Sequence, residues 1–370
     1  MFLKNISVLN FKNYEEVSVK FSMGVNFFTG NNGEGKTNLL DAIHYLSLCK
    51  SYFNAIDSQN IRRESEFLMV QGDFDKEGKI DAISCGIKRG EKKQFKKNRK
   101  EYKRLAEHIG LFPSVMISPS DISLILGGSE IRRKFIDSVI CQYSKSYLEN
   151  LISYNRVLSQ RNALLKYFSK GARFDQSSLD VWNSQLVPLG QKIYEERNEF
   201  LKEFVERFQE HYSFISEEKE KVDLLYSSHL KNGDFMQLLD DSIQKDRVLN
   251  YTTVGIHKDD LVFQLTGFPV KKFGSQGQQK SFLIALKLAQ FEFIKGIKKI
   301  KPLLLLDDVF DKLDGSRVQK IMELISQDHF GQIFITETSQ ERLFKIFDDI
   351  EIGQKYFEIN NGAVVNEEVK

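Results

Sequence analysis

The run Val25-Asn26-Phe27-Phe28-Thr29-Gly30-Asn31-Asn32-Gly33-Glu34-Gly35-Lys36-Thr37 decides how this chain is read, because an apolar strand passes through a glycine-rich turn directly into a helix. From Asn38 to Leu48, the residues Leu39, Leu40, Ile43, Tyr45 and Leu46 recur at helical spacing. Gly30 to Thr37 fits the phosphate-loop pattern of Gly, four residues, Gly, Lys and then Ser or Thr, in the strand-to-helix setting that the pattern requires. Glycines here let successive backbone N–H groups curl round an anion, and the helix beginning near Lys36 adds the positive end of its dipole. The reading assigns Gly30, Asn31, Asn32, Gly33, Glu34, Gly35, Lys36 and Thr37 to nucleotide binding. Lys36 is expected to reach the β- and γ-phosphates, and Thr37 to place its hydroxyl on Mg²⁺. Without the flanking strand and helix, the same residues would be a glycine-rich turn with a chance Lys-Thr.

A second motif lies far along the chain. Pro302-Leu303-Leu304-Leu305-Leu306-Asp307-Asp308 is apolar until it ends in two acids, the way a central parallel strand presents carboxylates at its C-terminal edge. Asp307 is expected to hold the magnesium, directly or through water, and Asp308 to sit where a general base orients the attacking water. Lys36, Asp307 and Asp308 are therefore the candidate catalytic residues, and Thr37 and Asp307 the candidate magnesium-holding pair. Alone, the segment would also read as a strand followed by an acidic turn or helix cap. The phosphate loop upstream is what favours the catalytic reading.

Around these motifs the pattern is that of an α/β domain with an insertion. At 370 residues, length suggests two or three domains. Hydrophobic residues at 41% and only 5 prolines exclude a disordered, collagenous or low-complexity protein. Phe2 to Phe28 reads as three short strands broken at Asn13-Tyr14 and Met23-Gly24, and residues 68–72 and 82–87 alternate as strands. From Glu130 to about Tyr226 long helices are predicted. The first is about seven turns long, with Phe135, Val139, Ile140, Tyr143, Tyr147, Leu148, Leu151 and Tyr154 on one face. Strands resume near 261–265, a helix is predicted over 278–297, and a buried strand over 303–306. The expected organisation is an ATPase domain in two parts, 1–125 and 251–370, interrupted by a helical insertion over 126–250.

Lys plus Arg number 53 against 51 Asp plus Glu, for a net charge of +2. A balance this close says little about partners, because a nucleic-acid binder needs a local basic surface, not a large total. Such a stretch exists: Lys88, Arg89, Lys92, Lys93, Lys96, Lys97, Arg99, Lys100, Lys103 and Arg104 are opposed only by Glu91 and Glu101. That density attracts phosphates, although a solvated hairpin turning at Lys97-Asn98-Arg99-Lys100 would have the same composition. Cys49, Cys85 and Cys141 lack metal-ligand spacing and leave an odd thiol, as expected in a reducing compartment. There is no signal-peptide pattern, and no apolar stretch approaches the roughly 18 residues of a membrane helix. The expectation is a cytoplasmic protein with no membrane partner.

Phe273-Gly274-Ser275-Gln276-Gly277-Gln278-Gln279-Lys280-Ser281, followed by Leu283, Ala285, Leu286, Leu288 and Ala289, places a serine and a glycine at a helix N-terminus and makes a second anion site. The order of phosphate loop, this segment and acidic strand end resembles the ATP-binding-cassette (ABC) ATPases. The resemblance implies that Ser275, Gln276 and Gly277 bind the γ-phosphate held by another subunit, so that nucleotide joins two heads. The Ser-Gln-Gly-Gln-Gln form is similar to that of the RecF family of bacterial recombinational repair, and unlike the transporter-type Ser-Gly-Gly-Gln. The same resemblance extends over nearly the whole chain, through Asn10–Tyr14, Gly30–Asp41, Ser118-Pro119-Ser120-Asp121, Arg132–Asp137, Gln160-Arg161-Asn162, Gly255–Leu261 and the Walker B and D-loop run Asp307–Asp314. Three residues depart from the family pattern: Ile256 stands for proline, Lys258 for arginine, and Asp311 for the D-loop serine. The last puts in question any D-loop contact through a neutral hydroxyl.

The fold implied by this resemblance is α/β: an ABC-type P-loop ATPase head with an inserted helical second domain, similar to the heads of SMC-type chromosome proteins. ATP and Mg²⁺ are the implied cofactors. The implied function is an ATP-dependent homodimer that binds double-stranded DNA, with gap junctions the expected site, and helps load RecA onto single-stranded DNA. RecR and RecO are the implied partners, and weak ATP hydrolysis acts as the conformational switch. Cassette ATPases usually carry glutamate at Asp308, and a side chain one methylene shorter implies slow hydrolysis. They often carry a γ-phosphate-sensing histidine after the strand that here ends near Ile335; Thr336-Glu337-Thr338 leaves the polar residue in that place open. Lys12 lies where related heads use a basic residue near nucleotide. Arg132, Arg133 and Lys134 suit either DNA or an exposed helix face, and His257 reads as part of a structural loop. Two other functions stand beside this one. A transporter's nucleotide-binding subunit is disfavoured by the signature, the insertion and the basic stretch. A small-molecule P-loop kinase would need no second anion site.

Overall fold

The computed structural model describes residues 1–310, 315–326, 330–338 and 353–369. In chain order, β1 (Phe2–Phe11), β2 (Tyr14–Lys20) and β3 (Val25–Thr29) lead to α1 (Lys36–Leu48). Then follow β4 (Phe67–Lys76), β5 (Lys79–Lys88), β6 (Gln94–Lys97), β7 (Lys100–Glu101) and β8 (Ser114–Ile117). Next come α2 (Ile122–Leu126), α3 (Ser129–Ile140), α4 (Lys145–Ser169), α5 (Gln176–Ser216), β9 (Val222–Ser227), α6 (Phe235–Asp241), α7 (Ile243–Leu249), β10 (Asp260–Leu265), β11 (Phe268–Pro269) and α8 (Val270–Phe273). The last described elements are α9 (Gln276–Lys298), β12 (Leu303–Asp307), α10 (Gly315–Ser326), β13 (Ile333–Glu337), β14 (Gln354–Asn360) and β15 (Ala363–Val369).

Backbone contacts divide the chain into two compact units. One holds Met1–Asp121, Phe214–Glu218 and the chain from Gln276 onward; the other holds Ile122–Ser213 and Lys219–Ser275. The inserted unit thus extends to Ser275, where a boundary near 250 was expected. The reason is strand pairing: β10 runs antiparallel to β9 from Asp260↔Ser227 to Leu265↔Val222, which holds 260–265 in the insertion. The same pairing makes Val222–Ser227 a strand, although the helical pattern was expected to continue to about Tyr226. The single long helix expected from Glu130 is two. α3 ends at Ile140, and Ser144 starts α4 by accepting the Tyr147 N–H at 3.1 Å. A side-chain cap is a local signal that an apolar period running through both helices conceals.

In the first unit, one sheet has the order β2-β1-β4-β5-β6-β7 and is antiparallel throughout. The other has the order β15-β14-β3-β13-β12-β8. Strands β14, β3, β13, β12 and β8 run parallel, with β8 at one edge, and β15 closes the other edge antiparallel. Helix α1 packs against strands of both sheets, and its Leu39, Leu40, Ile43, Tyr45 and Leu46 are fully buried. A helix covered on opposite sides needs apolar residues round most of its circumference. β12 is buried at every residue because its sheet is covered on both faces, which explains its unbroken leucines.

The inserted unit is held by buried ion pairs as well as by its aromatic core. Arg197 reaches Asp137 and Asp259, each at 2.8 Å, and donates to the Tyr147 hydroxyl at 2.9 Å. Arg161 pairs with Asp246 at 2.7 Å, both side chains fully buried. Arg132 grips Asp260 through two nitrogens at 2.7 and 3.0 Å, and Arg133 donates to the Asp259 carbonyl at 2.6 Å. Of the basic triplet, only Lys134 stands exposed, paired with Glu130. His257 is fastened at both ring nitrogens, to the Tyr154 hydroxyl and the Thr252 carbonyl, and burial lowers its pKa to about 4. The motif from Gly255 to Leu261 therefore ties the insertion together.

Candidate nucleotide site

Four neighbouring parallel strands, β3, β13, β12 and β8, end on one edge of the sheet, where open α/β sheets bind ligands. They deliver Gly30, Thr336, Asp307 and Ser118 respectively. The phosphate loop leaves β3 with left-handed backbone at Gly30 (φ 140°), Gly33 (φ 89°) and Gly35 (φ 119°). A Cβ at Gly30 would lie 2.2 Å from the Ile359 carbonyl oxygen, so only glycine fits there. Gly35 starts α1 without a capping side chain, which leaves the first N–H groups of that helix for an anion.

Neighbouring turns brace the loop. Asn13 donates to the Glu34 carbonyl at 2.9 Å, Tyr14 donates its hydroxyl to the Gly35 carbonyl at 3.0 Å, and the Gly362 N–H donates to Glu34 at 2.9 Å. Lys36 is 5% exposed and donates to the carbonyls of Gly30 and Asn31 at 2.6 and 2.9 Å. Burial lowers its pKa, against the opposing pull of Asp308, Asp307, Glu337 and Glu34.

Asp307 is clamped by hydroxyls. Thr37 donates to its Oδ1 at 2.7 Å, Thr336 donates to the same oxygen at 2.9 Å, and Ser118 donates to Oδ2 at 3.2 Å. The contact between Thr37 and Asp307 brings together the two residues assigned to magnesium. A hydroxyl and a carboxylate at one point suit a hard cation that keeps several waters and takes its remaining ligands from phosphates. Asp308 has a left-handed backbone (φ 45°), a conformation that costs a non-glycine residue on the order of 1 kcal/mol. Its N–H donates to Thr336 Oγ1 at 3.0 Å. Within 336–338, Thr336 touches both acids.

Lys12 is differently employed. Its ammonium sits 2.6 Å from the fully buried carboxylate of Asp41 on α1 and over the rings of Phe11 and Phe53, so it secures the helix behind the loop. At the signature, Gln276 and Gly277 open α9, Arg317 donates to Ser281 at 2.7 Å, and Ser275 is the last residue of the inserted unit. The D-loop residues Asp311 to Asp314 lie outside the described residues.

The basic stretch separates into tethered and exposed residues. Lys93 bonds Asp57, the Tyr45 hydroxyl and the Cys49 carbonyl, Lys97 pairs with Asp81 at 2.7 Å, and Lys88 pairs with Glu91. Lys92, Arg99, Lys100, Lys103 and Arg104 are exposed, around a turn at Asn98 and Arg99 with both φ positive, as in a tight hairpin. Sequence reasoning weighed neither Asn13 and Gly362 as braces nor Ser118 as a partner of Asp307. Only strand pairing brings them to the loop.

A family model for the RecF/RecN/SMC N terminal domain matches residues 2–355. The DNA replication and repair protein RecF of Phocaeicola vulgatus is 52% identical over 98% of both chains. The solved recombination mediator protein RecF-ATP in the RecFOR pathway is 31% identical, covers 99% of both chains and superposes with a TM-score of 0.88. At 16% identity and a TM-score of 0.57, an Smc head domain from Pyrococcus furiosus shares the fold, that of an ABC-type ATPase head with mixed α/β sheets. Among the described residues, no helix is long and apolar enough to cross a membrane. The chain belongs to the RecF family of DNA replication and repair proteins.

Proposed function

We propose that this protein is an ATP-driven switch of recombinational repair: ATP joins two copies through the phosphate loop of one and the Ser275, Gln276, Gly277 segment of the other. The dimer holds duplex DNA, with gap junctions its working site and RecA loading its output alongside RecO and RecR. The observation that carries this reading is the clamp of Thr37 and Thr336 on Asp307 at the mouth of an uncapped helix N-terminus, with buried Lys36 beside it. It is supported by the relatives, one of them solved as RecF-ATP.

In this mechanism Lys36 exchanges its bonds to Gly30 and Asn31 for phosphate oxygens, and the loop N–H groups hold the anion. Thr37 and Asp307 would hold Mg²⁺, partly through water, and the ion would supply neutralisation of the phosphate charge. Asp308 orients the attacking water. Its short side chain makes hydrolysis weak, so that ATP times the release of DNA. Sedimentation with ATP, ADP or no nucleotide, with and without duplex DNA, tests the reading. A dimer with ATP alone, heavier with DNA, is expected; the same species in all conditions would refute it.

A further inference from the structure

We propose that Ser118, held by the buried Asp121–Lys287 pair, is a positioning residue for the magnesium-holding carboxylate of Asp307. This inference rests on the nucleotide-site reading above. β8 and β12 pair in parallel register with Ile117 beside Leu306, so the next residue of each strand, Ser118 and Asp307, come side by side. Thr37 and Thr336 both donate to Oδ1 of Asp307, and Ser118 donates to Oδ2. The plane of the carboxylate, and with it the direction of its lone pairs, is thereby set from both sides.

Ser118 is in turn fixed by a charge. Its backbone N–H donates to Asp121 Oδ2 at 2.8 Å. Oδ1 of Asp121 receives Lys287 at 3.0 Å and the hydroxyl of Tyr52, and Lys287 also donates to that hydroxyl at 2.8 Å. Asp121 and Lys287 are each 5% exposed. Apolar residues would serve mere packing here at no desolvation cost. A buried pair set directly behind a metal carboxylate instead matches the outer shell that orients metal ligands. Lys287 stands about three turns into α9, so the strut runs from Asp307 to the helix that opens with Gln276 and Gly277.

The test is a Mg²⁺ titration of the full chain with a fluorescent ATP analogue, alongside affinity in EDTA and thermal unfolding without nucleotide. Ser118→Ala removes one hydroxyl and leaves the ion pair intact. It is expected to keep Mg²⁺-free affinity within about twofold of wild type and to raise the half-saturating Mg²⁺ concentration about tenfold, the order seen when outer-shell partners are removed. Ser118→Thr is expected to restore the wild-type value. Lys287→Met is expected to shift the Mg²⁺ response in the same direction, and the double variant to add little to either single one. A role in stability alone would lower the unfolding temperature of Ser118→Ala and leave its Mg²⁺ response at the wild-type value, which would overturn the inference. A wild-type protein whose nucleotide binding ignores Mg²⁺ would instead overturn the magnesium reading of the whole site.

Discussion

Thr336 donates its hydroxyl to Asp307 Oδ1 at 2.9 Å while accepting the Asp308 N–H on the same oxygen at 3.0 Å. The two residues face each other across β12 and β13 in parallel register, so the neighbouring strand sets the aim of both acids. Thr336→Val keeps the shape and removes the oxygen. Hydrolysis is expected to fall on the order of a hundredfold, because a reacting group displaced by about an ångström loses that much, while ATP affinity changes little. Single-turnover hydrolysis and equilibrium binding, measured on the same preparation, separate the two effects.

Replacing Ser275 with Arg is expected to abolish the ATP-dependent dimer and leave nucleotide bound to the monomer, since the change falls on the segment assigned to the partner's γ-phosphate. Lys36→Ala or Lys36→Met should prevent both binding and dimerisation. Light scattering with ATP and with ADP separates both kinds of variant from wild type, and equilibrium nucleotide binding separates them from each other.

Asp308→Asn preserves side-chain length and removes the charge proposed to orient water. ATP binding is expected to persist and the dimer to become long-lived, with the half-life of the DNA complex extended. Hydrolysis by the variant at the wild-type single-turnover rate would remove Asp308 from the mechanism.

The exposed and tethered cations of the basic stretch should behave differently. Charge reversal at Arg99, Lys100, Lys103 and Arg104 is expected to weaken duplex binding and flatten its dependence on salt, by up to about one unit of log–log slope per lost phosphate contact. Lys93→Ala should lower stability instead, because it removes bonds to Asp57, Tyr45 and Cys49. An unchanged salt slope in the fourfold variant would assign the turn to solvent alone.

Acid should destabilise the ATPase unit through two buried histidines. Burial lowers His44 and His108 from 6.5 to about 4. Above pH 6.5 both folded and unfolded forms are neutral and stability is flat. Between pH 6.5 and 4 the unfolded chain takes up protons that the folded one refuses, so stability falls with pH, by on the order of 3 kcal/mol for each residue. Urea midpoints across this range should decline, and His108→Gln should flatten the decline.

The contiguous elements of the site could be read from the chain itself. A phosphate loop works through consecutive backbone N–H groups, so its glycines, Lys36 and Thr37 must be neighbours in sequence, and β12 announces its burial by its leucines. Asp307 and Asp308 are likewise adjacent in sequence, at the end of that strand. The helical insertion was legible in kind but not in extent: the 260–265 strand looks alike whichever sheet it joins, and its pairing with β9 decides the matter. The apolar period that made one helix of α3 and α4 could not show the break that Ser144 caps.

What only the tertiary structure decided is which polar side chains meet. Thr336 and Ser118 reach Asp307 because β13 and β8 flank β12 in register, and register is set by packing of whole strands. Arg132 and Arg133 are taken up within the insertion, and Lys12 by Asp41, because a cation's partner lies wherever folding brings a carboxylate, at separations no local pattern records. Spacing therefore determined which candidate residues stand together, in motifs whose proposed chemistry requires adjacency. The aim of that chemistry was decided by strand order and burial, which act between residues far apart in sequence.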